Sequence, residues 1–166
     1  MKILICGIVA SGKTTLAERL SEKHGIPHFE SDCIAWGFPD EQRFKRTDDE
    51  QKNRITELDK NTSWIIEGVF RESQRSAFDL ADRIVFLNTP LYKRIFRILT
   101  RFMKQKLGVE KSNYKPTFQM LGLMFKWTRA FEKNRKSFEE MLLRYENKLI
   151  WVKAEKELDD EKRLVF

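Results

Sequence analysis

Short apolar runs alternate with longer amphipathic stretches along the whole chain. Lys2–Cys6 is a continuous apolar run, the pattern of a strand buried on both faces of a parallel sheet. Trp64-Ile65-Ile66, Ile84-Val85-Phe86-Leu87 and Leu149-Ile150-Trp151-Val152 repeat that pattern, and His28-Phe29 is a shorter candidate. After the first run the period lengthens to that of a helix. Leu16, Ala17 and Leu20 fall on one face, with Glu18, Arg19, Glu22 and Lys23 elsewhere, and Gly25 with Pro27 ends the element. Further helices are predicted over about 48–59, 91–106 and 117–147, with a short terminal one after the last strand. Asn61-Thr62-Ser63 and Asn88-Thr89-Pro90 read as loops, and 108–116, punctuated by Gly and Pro, as a mobile one. The alternation predicts an α/β sandwich around a mainly parallel sheet, in one domain spanning residues 1–166.

Composition adds little until charge is placed along the chain. At 166 residues, 41% hydrophobic and 34% charged, the protein can bury a sizeable core without disulfides. Cys6 and Cys33 form no spacing motif and suit a reducing cytosol, so a cytoplasmic location is expected. The apolar start is too short for a secretory signal, and no run nears the roughly 18 apolar residues of a membrane span. The net charge of +7 is uneven: residues 93–148 hold fifteen Lys or Arg against five Glu, a local +10. That segment calls for a polyanionic partner, whether nucleotide phosphates, a phosphorylated substrate or nucleic acid.

One motif carries specific chemistry. Gly7-Ile8-Val9-Ala10-Ser11-Gly12-Lys13-Thr14 fits G-x-x-x-x-G-K-[ST] between an apolar strand and an amphipathic helix, where a phosphate loop belongs. Glycines let the backbone wrap an anion, so that successive N–H groups point inward, and the following helix adds its N-terminal partial charge. Gly7, Val9, Ala10, Ser11, Gly12, Lys13, Thr14 and Thr15 are therefore the expected phosphate-binding set. Lys13 can reach the β- and γ-phosphates, and the Thr14 hydroxyl is placed to ligate magnesium. ATP and Mg²⁺ are the expected cofactors.

With this motif, a carboxylate after the second strand, a W-I-I-x-G third strand and an Arg-rich helix after the fourth, the chain resembles the small kinases related to adenylate and shikimate kinase. Within them it is most similar to the group labelled DNA topology modulation proteins. The resemblance implies a three-layer sandwich with a five-stranded parallel sheet of order 2-3-1-4-5. Glu30-Ser31-Asp32 resembles an Asp-x-Asp whose first acid helps hold magnesium and whose second binds the substrate hydroxyl, with Glu30 in place of the usual Asp. Glu67-Gly68-Val69-Phe70-Arg71 stands where relatives carry Asp-Gly and an arginine: Glu67 would orient magnesium-bound water, and Arg71 would hold an anionic group of the acceptor. Arg94, Arg97 and Arg101, spaced i, i+3, i+7, form one stripe, with Leu91, Ile95, Ile98, Leu99 and Phe102 expected opposite as core. Relatives use such arginines to neutralise the transferring phosphoryl group, beneath a lid expected around 104–117.

Arg129 and Arg135 are further phosphate or adenine candidates. The apolar segment 118–131 is expected to be a core helix beside the fifth strand, and His24 and His28 are expected to be structural. Guanine selection is excluded, since Asn147-Lys148-Leu149-Ile150 lacks the acid of Asn-Lys-x-Asp, and 166 residues are few for an AAA module. The leading expectation is a kinase passing the ATP γ-phosphoryl group to a small anionic or hydroxylated acceptor, with no membrane partner. The alternative is a nucleotide-dependent DNA- or RNA-binding regulator that uses the basic segment on phosphates.

Overall fold

The structure is a computed structural model that describes residues 1–37, 44–109 and 116–153. Strand β1 (Lys2–Cys6) leads into helix α1 (Lys13–His24), and β2 (His28–Glu30) passes directly into a short helix α2 (Ser31–Ala35). Two short strands, β3 (Trp36–Gly37) and β4 (Phe44–Lys45), pair antiparallel apart from the main sheet. Helix α3 (Asp48–Asp59) begins at Thr47, whose hydroxyl accepts from Glu50 N while the Glu50 carboxylate accepts from Thr47 N. This reciprocal cap fixes the start of a helix with little apolar surface of its own. Strand β5 (Trp64–Gly68), a 3₁₀ turn (Glu72–Gln74), α4 (Arg75–Leu80), β6 (Arg83–Leu87), α5 (Leu91–Lys106), α6 (Phe118–Leu142), a second 3₁₀ turn (Leu143–Lys148) and β7 (Leu149–Val152) complete the order.

The main sheet has five strands in the order β2-β5-β1-β6-β7, all parallel. With the two short strands set aside, this is the expected order 2-3-1-4-5. Successive residues of β1 point to opposite faces. Ile3 and Ile5 meet Leu16, Ala17 and Leu20 of α1, whereas Leu4 and Cys6 meet Ile55 of α3, Ala77 and Phe78 of α4 and Leu142 of α6. A strand with both faces covered must be apolar where it is covered, as Ile3–Cys6 is. The result is three layers, with the carboxyl ends of the strands opening on one edge.

Residues 117–147 are helical as expected, as α6 and the 3₁₀ turn after it, but the core assignment of 118–131 needs correction. The α-helix ends at Leu142, and within α6 only Thr128 and Leu142 are buried. Its first half pairs with α5, Phe118 lying 5.3 Å from Phe102 between ring centroids. Its second half covers the sheet through Phe131, Phe138 and Met141. The sequence shows apolar spacing but not which neighbour it meets. Of the expected lid, 104–106 belong to α5 and 117 caps α6, while 110–115 and the expected terminal helix lie outside the described residues. Among the described residues no helix is long and apolar enough to cross a membrane.

Candidate active site

The strand ends of β1, β2 and β5 converge on the loop between β1 and α1. That loop is held from behind. Ser11 N donates to Ile8 O at 3.2 Å, and Gly12, at φ 102°, adopts a left-handed conformation that side chains resist. Ala10 is also left-handed, at φ 59°, and is the only non-glycine so placed among the described residues. Such a residue persists where surrounding bonds over-determine it. Here Thr89 Oγ1 donates to Ser11 O at 2.8 Å, and Arg97 Nη1 donates to Ser11 O at 2.9 Å and to Ala10 O at 3.3 Å. With the Ala10 and Ser11 carbonyls bound outward and only Ser11 N–H turned to Ile8 O, the other loop N–H groups stand at the start of α1, where no acidic side chain competes for an anion. The Ser11 hydroxyl is buried with no hydrogen-bond partner, and a Cβ at Gly7 would meet it at 2.8 Å. These features fit a bound phosphate.

Lys13 is half-buried, and its Nζ donates to Ile8 O at 3.1 Å, within the curl of the loop. Burial lowers its pKa, opposed by the charges of Glu67 and Asp32. Thr14 Oγ1 donates to Glu67 Oε1 at 2.8 Å. Glu67 is buried, and that burial raises its pKa, while Lys13 and the Thr14 hydrogen bond act the other way. Glu30 is the register partner of Glu67 across β2 and β5. A hydroxyl and two carboxylates on adjacent elements are hard oxygen donors, and a cation here would offset the cost of keeping Glu67 ionised. They fit magnesium, which takes few protein ligands and keeps several waters. Val9 is half-exposed on the loop, and Thr15 is exposed on the first turn of α1.

Asp32 sits at the start of α2 with a largely exposed carboxylate, paired with Arg71 Nη2. Arg71 Nη1 also donates to Ser31 Oγ at 2.6 Å. Ser31 is bound in turn by Gln74, and Gln74 Nε2 reaches Gln51 Oε1 at 3.1 Å. This buried amide chain ties α2, α3 and the Glu72–Gln74 turn together behind Asp32. It requires close approach: a Cβ at Gly68 would lie 2.2 Å from Ser31 Cβ, so a larger residue cannot stand there. The sequence reading missed Ser31, Gln51, Gln74 and Thr89. Buried amides and hydroxyls in polar stretches carry no periodic signal, and their partners lie far away in the sequence.

The arginine stripe is corrected. The stripe divides: Arg94 is buried with Ile98, Phe102 and Gln105, Arg97 is half-buried and Arg101 exposed, while Leu91 and Leu99, expected in the core, are exposed. Arg94 has no exposed surface; its Nη2 pairs with Glu132 of α6, and its Nε donates to Thr89 O at 3.0 Å. Burial lowers the Arg94 pKa, partly opposed by Glu132. Arg97 braces the loop, and Arg101 is exposed. Arg135 binds Glu132 and Asn88, whereas Arg129 is exposed. The structure thus brings Lys13, Thr14, Glu30, Glu67, Asp32 and Arg71 together, adds Arg97 behind the loop, and turns Arg94 inward. An open cleft of about 980 Å³ runs from Gly7, Ile8 and Val9 past Asp32 and Arg71 to α6.

Solved structures share the fold. A deoxyadenosine kinase from M. mycoides, solved with dCMP as product and a flexible dCDP, superposes with a TM-score of 0.57 at 17% identity, covering 100% of both chains. A gluconokinase from Sinorhizobium meliloti 1021 gives a TM-score of 0.50 at 17% identity, covering 92% of this chain and 82% of that one. At such identities the likeness is one of fold. No curated protein matches the sequence. A family model described as an AAA domain matches residues 3–115, from β1 through the phosphate loop to beyond α5. This overturns the exclusion of an AAA module on length, because a family model can match a short chain. The chain belongs to the AAA domain family of phosphate-loop nucleotide-binding proteins.

Proposed function

We propose that the protein is an ATP- and magnesium-dependent phosphotransferase that passes the γ-phosphoryl group to a small acceptor in the cleft beside the phosphate loop. The observation that carries this reading is the continuity of that cleft with Gly7, Ile8 and Val9, with Asp32 and Arg71 on its wall. A second small molecule therefore has space where the terminal phosphate would lie. Lys13 and the loop N–H groups hold the phosphates, and Thr14, Glu67 and Glu30 would hold magnesium, which supplies neutralisation of phosphate charge. Asp32 accepts the acceptor's hydroxyl proton, and Arg71 keeps that carboxylate in place. Arg97 fixes the loop, while Arg101, with the 104–117 segment as lid over a single 1–166 domain, completes the charge around the transferring group. The likeness of fold to a nucleoside kinase and a gluconokinase supports the reaction class. Within that class we assign the chain to the adenylate- and shikimate-kinase-like branch and the topology-modulation group, working in the cytosol.

Asp32→Asn tests this directly. The amide keeps the size of the side chain but accepts no proton, so calorimetry should show unchanged ATP affinity while transfer falls by about 100-fold or more. Transfer at the wild-type rate would reduce Asp32 to a turn residue.

The +10 segment favours a second reading, a nucleotide-dependent nucleic-acid binder. Arg94, Arg97 and Arg135 weaken it, since their bonds run into the protein. Sequence-selective nanomolar DNA binding at physiological salt, controlled by ATP, would favour that reading over the kinase.

A further inference from the structure

The cleft has a chemistry of its own beyond the phosphate loop. Its far wall is aromatic: Trp36, Phe70, Trp127, Phe131 and Phe138 all line it. Phe138 links the group, with ring centroids 5.9 Å from Phe70 and 5.6 Å from Phe131. Phe70, Phe131 and Phe138 pack against the buried cluster over the sheet, so the core fixes the orientation of these three rings. Trp127 is the open member, at 46% exposure. Preformed aromatic surface of this kind suits a flat ring, and a polyhydroxylated acid would leave it unused.

Among the described residues, the charges that line the cleft balance. Arg71, Arg75 and Arg144 line it, and so do Asp32, Glu72 and Glu140. Two of the guanidiniums are already engaged. Arg71 is bound to Asp32 and Ser31, and Arg75 grips Glu72 through both oxygens, at 2.5 and 2.9 Å. A site built for a carboxylate or a phosphate presents guanidinium in excess of acid, and this one does not. Arg71, expected to hold an anionic group of the acceptor, is bonded to Asp32 and Ser31 and orients that carboxylate instead.

We propose that the acceptor is an uncharged nucleoside, its base against the aromatic wall and its sugar hydroxyl at Asp32. This rests on the phosphotransferase reading and narrows it to a substrate class. In the step, the hydroxyl oxygen forms a bond to the γ-phosphorus of ATP as the bond from that phosphorus to the β,γ-bridging oxygen breaks. ADP leaves with that oxygen's electron pair, the hydroxyl proton passes to Asp32 and then to solvent, and the product is a nucleoside monophosphate.

The test is equilibrium dialysis of the full chain with magnesium and a saturating non-hydrolysable ATP analogue, which occupies the donor site. The probes are labelled thymidine, cytidine, adenosine and guanosine, their 5′-monophosphates, and gluconate. At least one nucleoside should bind at least tenfold tighter than its monophosphate and than gluconate. Trp127→Leu and Trp36→Leu, each checked for an unchanged melting profile, should weaken that binding by about 5- to 100-fold, the range of lost base stacking. Because Trp127 is open, its variant keeps the fold even if Trp36→Leu does not. Tighter binding of monophosphates or gluconate, no nucleoside binding at millimolar concentration, or indifference to Trp127→Leu would overturn the proposal. With ATP in place of the analogue, nucleoside binding without phosphoryl transfer would defeat the phosphotransferase reading alone. Transfer to gluconate would sustain that reading and sink this inference.

Discussion

The phosphate loop and helix α5 both carry regularly spaced polar residues, yet only the loop's spacing translated directly into place. In the loop the chemistry belongs to the main chain. Residues 7–14 curl because Gly12 and Ala10 adopt left-handed conformations, and the following helix starts where the pattern requires. In α5 the three arginines look equivalent in sequence but meet different neighbours. Arg94 is sealed against Glu132, Arg97 clasps the carbonyls of Ala10 and Ser11, and Arg101 is exposed. Spacing along a helix reports a shared face and does not report what lies across from it. The two regions are also coupled, since Arg97 and Thr89 hold the loop in the shape that its own sequence only permits.

The largest expected effect breaks the loop side of this comparison. Lys13→Ala should lower ATP affinity by at least about 100-fold by calorimetry, the scale of a lost charge-assisted hydrogen-bond set, with the melting profile retained. Unchanged affinity in the folded variant would mean that the loop does not bind ATP. Next comes the helix side. Arg94→Leu removes the pair with Glu132, which keeps Arg135, and the bond to Thr89 O, and should cost about 1–3 kcal/mol, a Tm loss of roughly 2–12 °C. Arg101→Ala should change stability by no more than about 0.5 kcal/mol. Equal losses by thermal melting would restore the equivalence that the sequence suggests.

Arg97→Ala joins the two regions. It removes bonds to two loop carbonyls and should weaken ATP binding by about tenfold, a smaller effect than losing Lys13. An ATP affinity equal to wild type would uncouple α5 from the loop.

A gentler effect lies in pH. Burial raises the Glu67 pKa above its ordinary 4.5, so the native state holds that proton more tightly than the unfolded chain. The resulting stability is full below about pH 4.5 and is lost as pH rises through the native pKa. Glu67→Gln should therefore melt higher than wild type at neutral pH without magnesium and show a flatter pH dependence. It should also lose the gain that magnesium with ATP gives the wild type. A lower melting temperature for the variant would contradict the assignment of burial as the dominant cause.

The smallest effect concerns the two thiols. Cys6 is buried at the end of β1, and burial pushes its pKa up to about 12. Cys33 is exposed, though partial burial and the nearby Glu30 raise its pKa as well. Iodoacetamide followed by mass spectrometry should label Cys33 slowly in the native protein and Cys6 only after unfolding. Native labelling of Cys6 would mean that the strand beneath the loop opens readily.

Much of the fold was legible because each strand's burial is written in its own residues. Lys2–Cys6 and Trp64-Ile65-Ile66 read as buried strands, and they form β1 and the first three residues of β5. Helix α2 and helix α4 were missed because at 5 and 6 residues they are too short to show a period. The ladder of β3 with β4 was missed for the same reason, at two residues each. Of the candidate site, the loop and the carboxylates after β2 and β5 stood out because strand ends in a parallel sheet converge on one edge. Thr89 and the Ser31, Gln74 and Gln51 chain did not, because their meaning lies in contacts 23–78 residues apart in sequence.

The most direct test of the central claim is to follow ATP with magnesium by phosphorus NMR, with the wild-type protein and a panel of nucleosides, nucleotides and hydroxy acids. The account predicts that ADP and a new phosphomonoester appear in equal amounts only when an acceptor is present, and that Asp32→Asn abolishes both. Release of inorganic phosphate alone, unaffected by any acceptor, would contradict it.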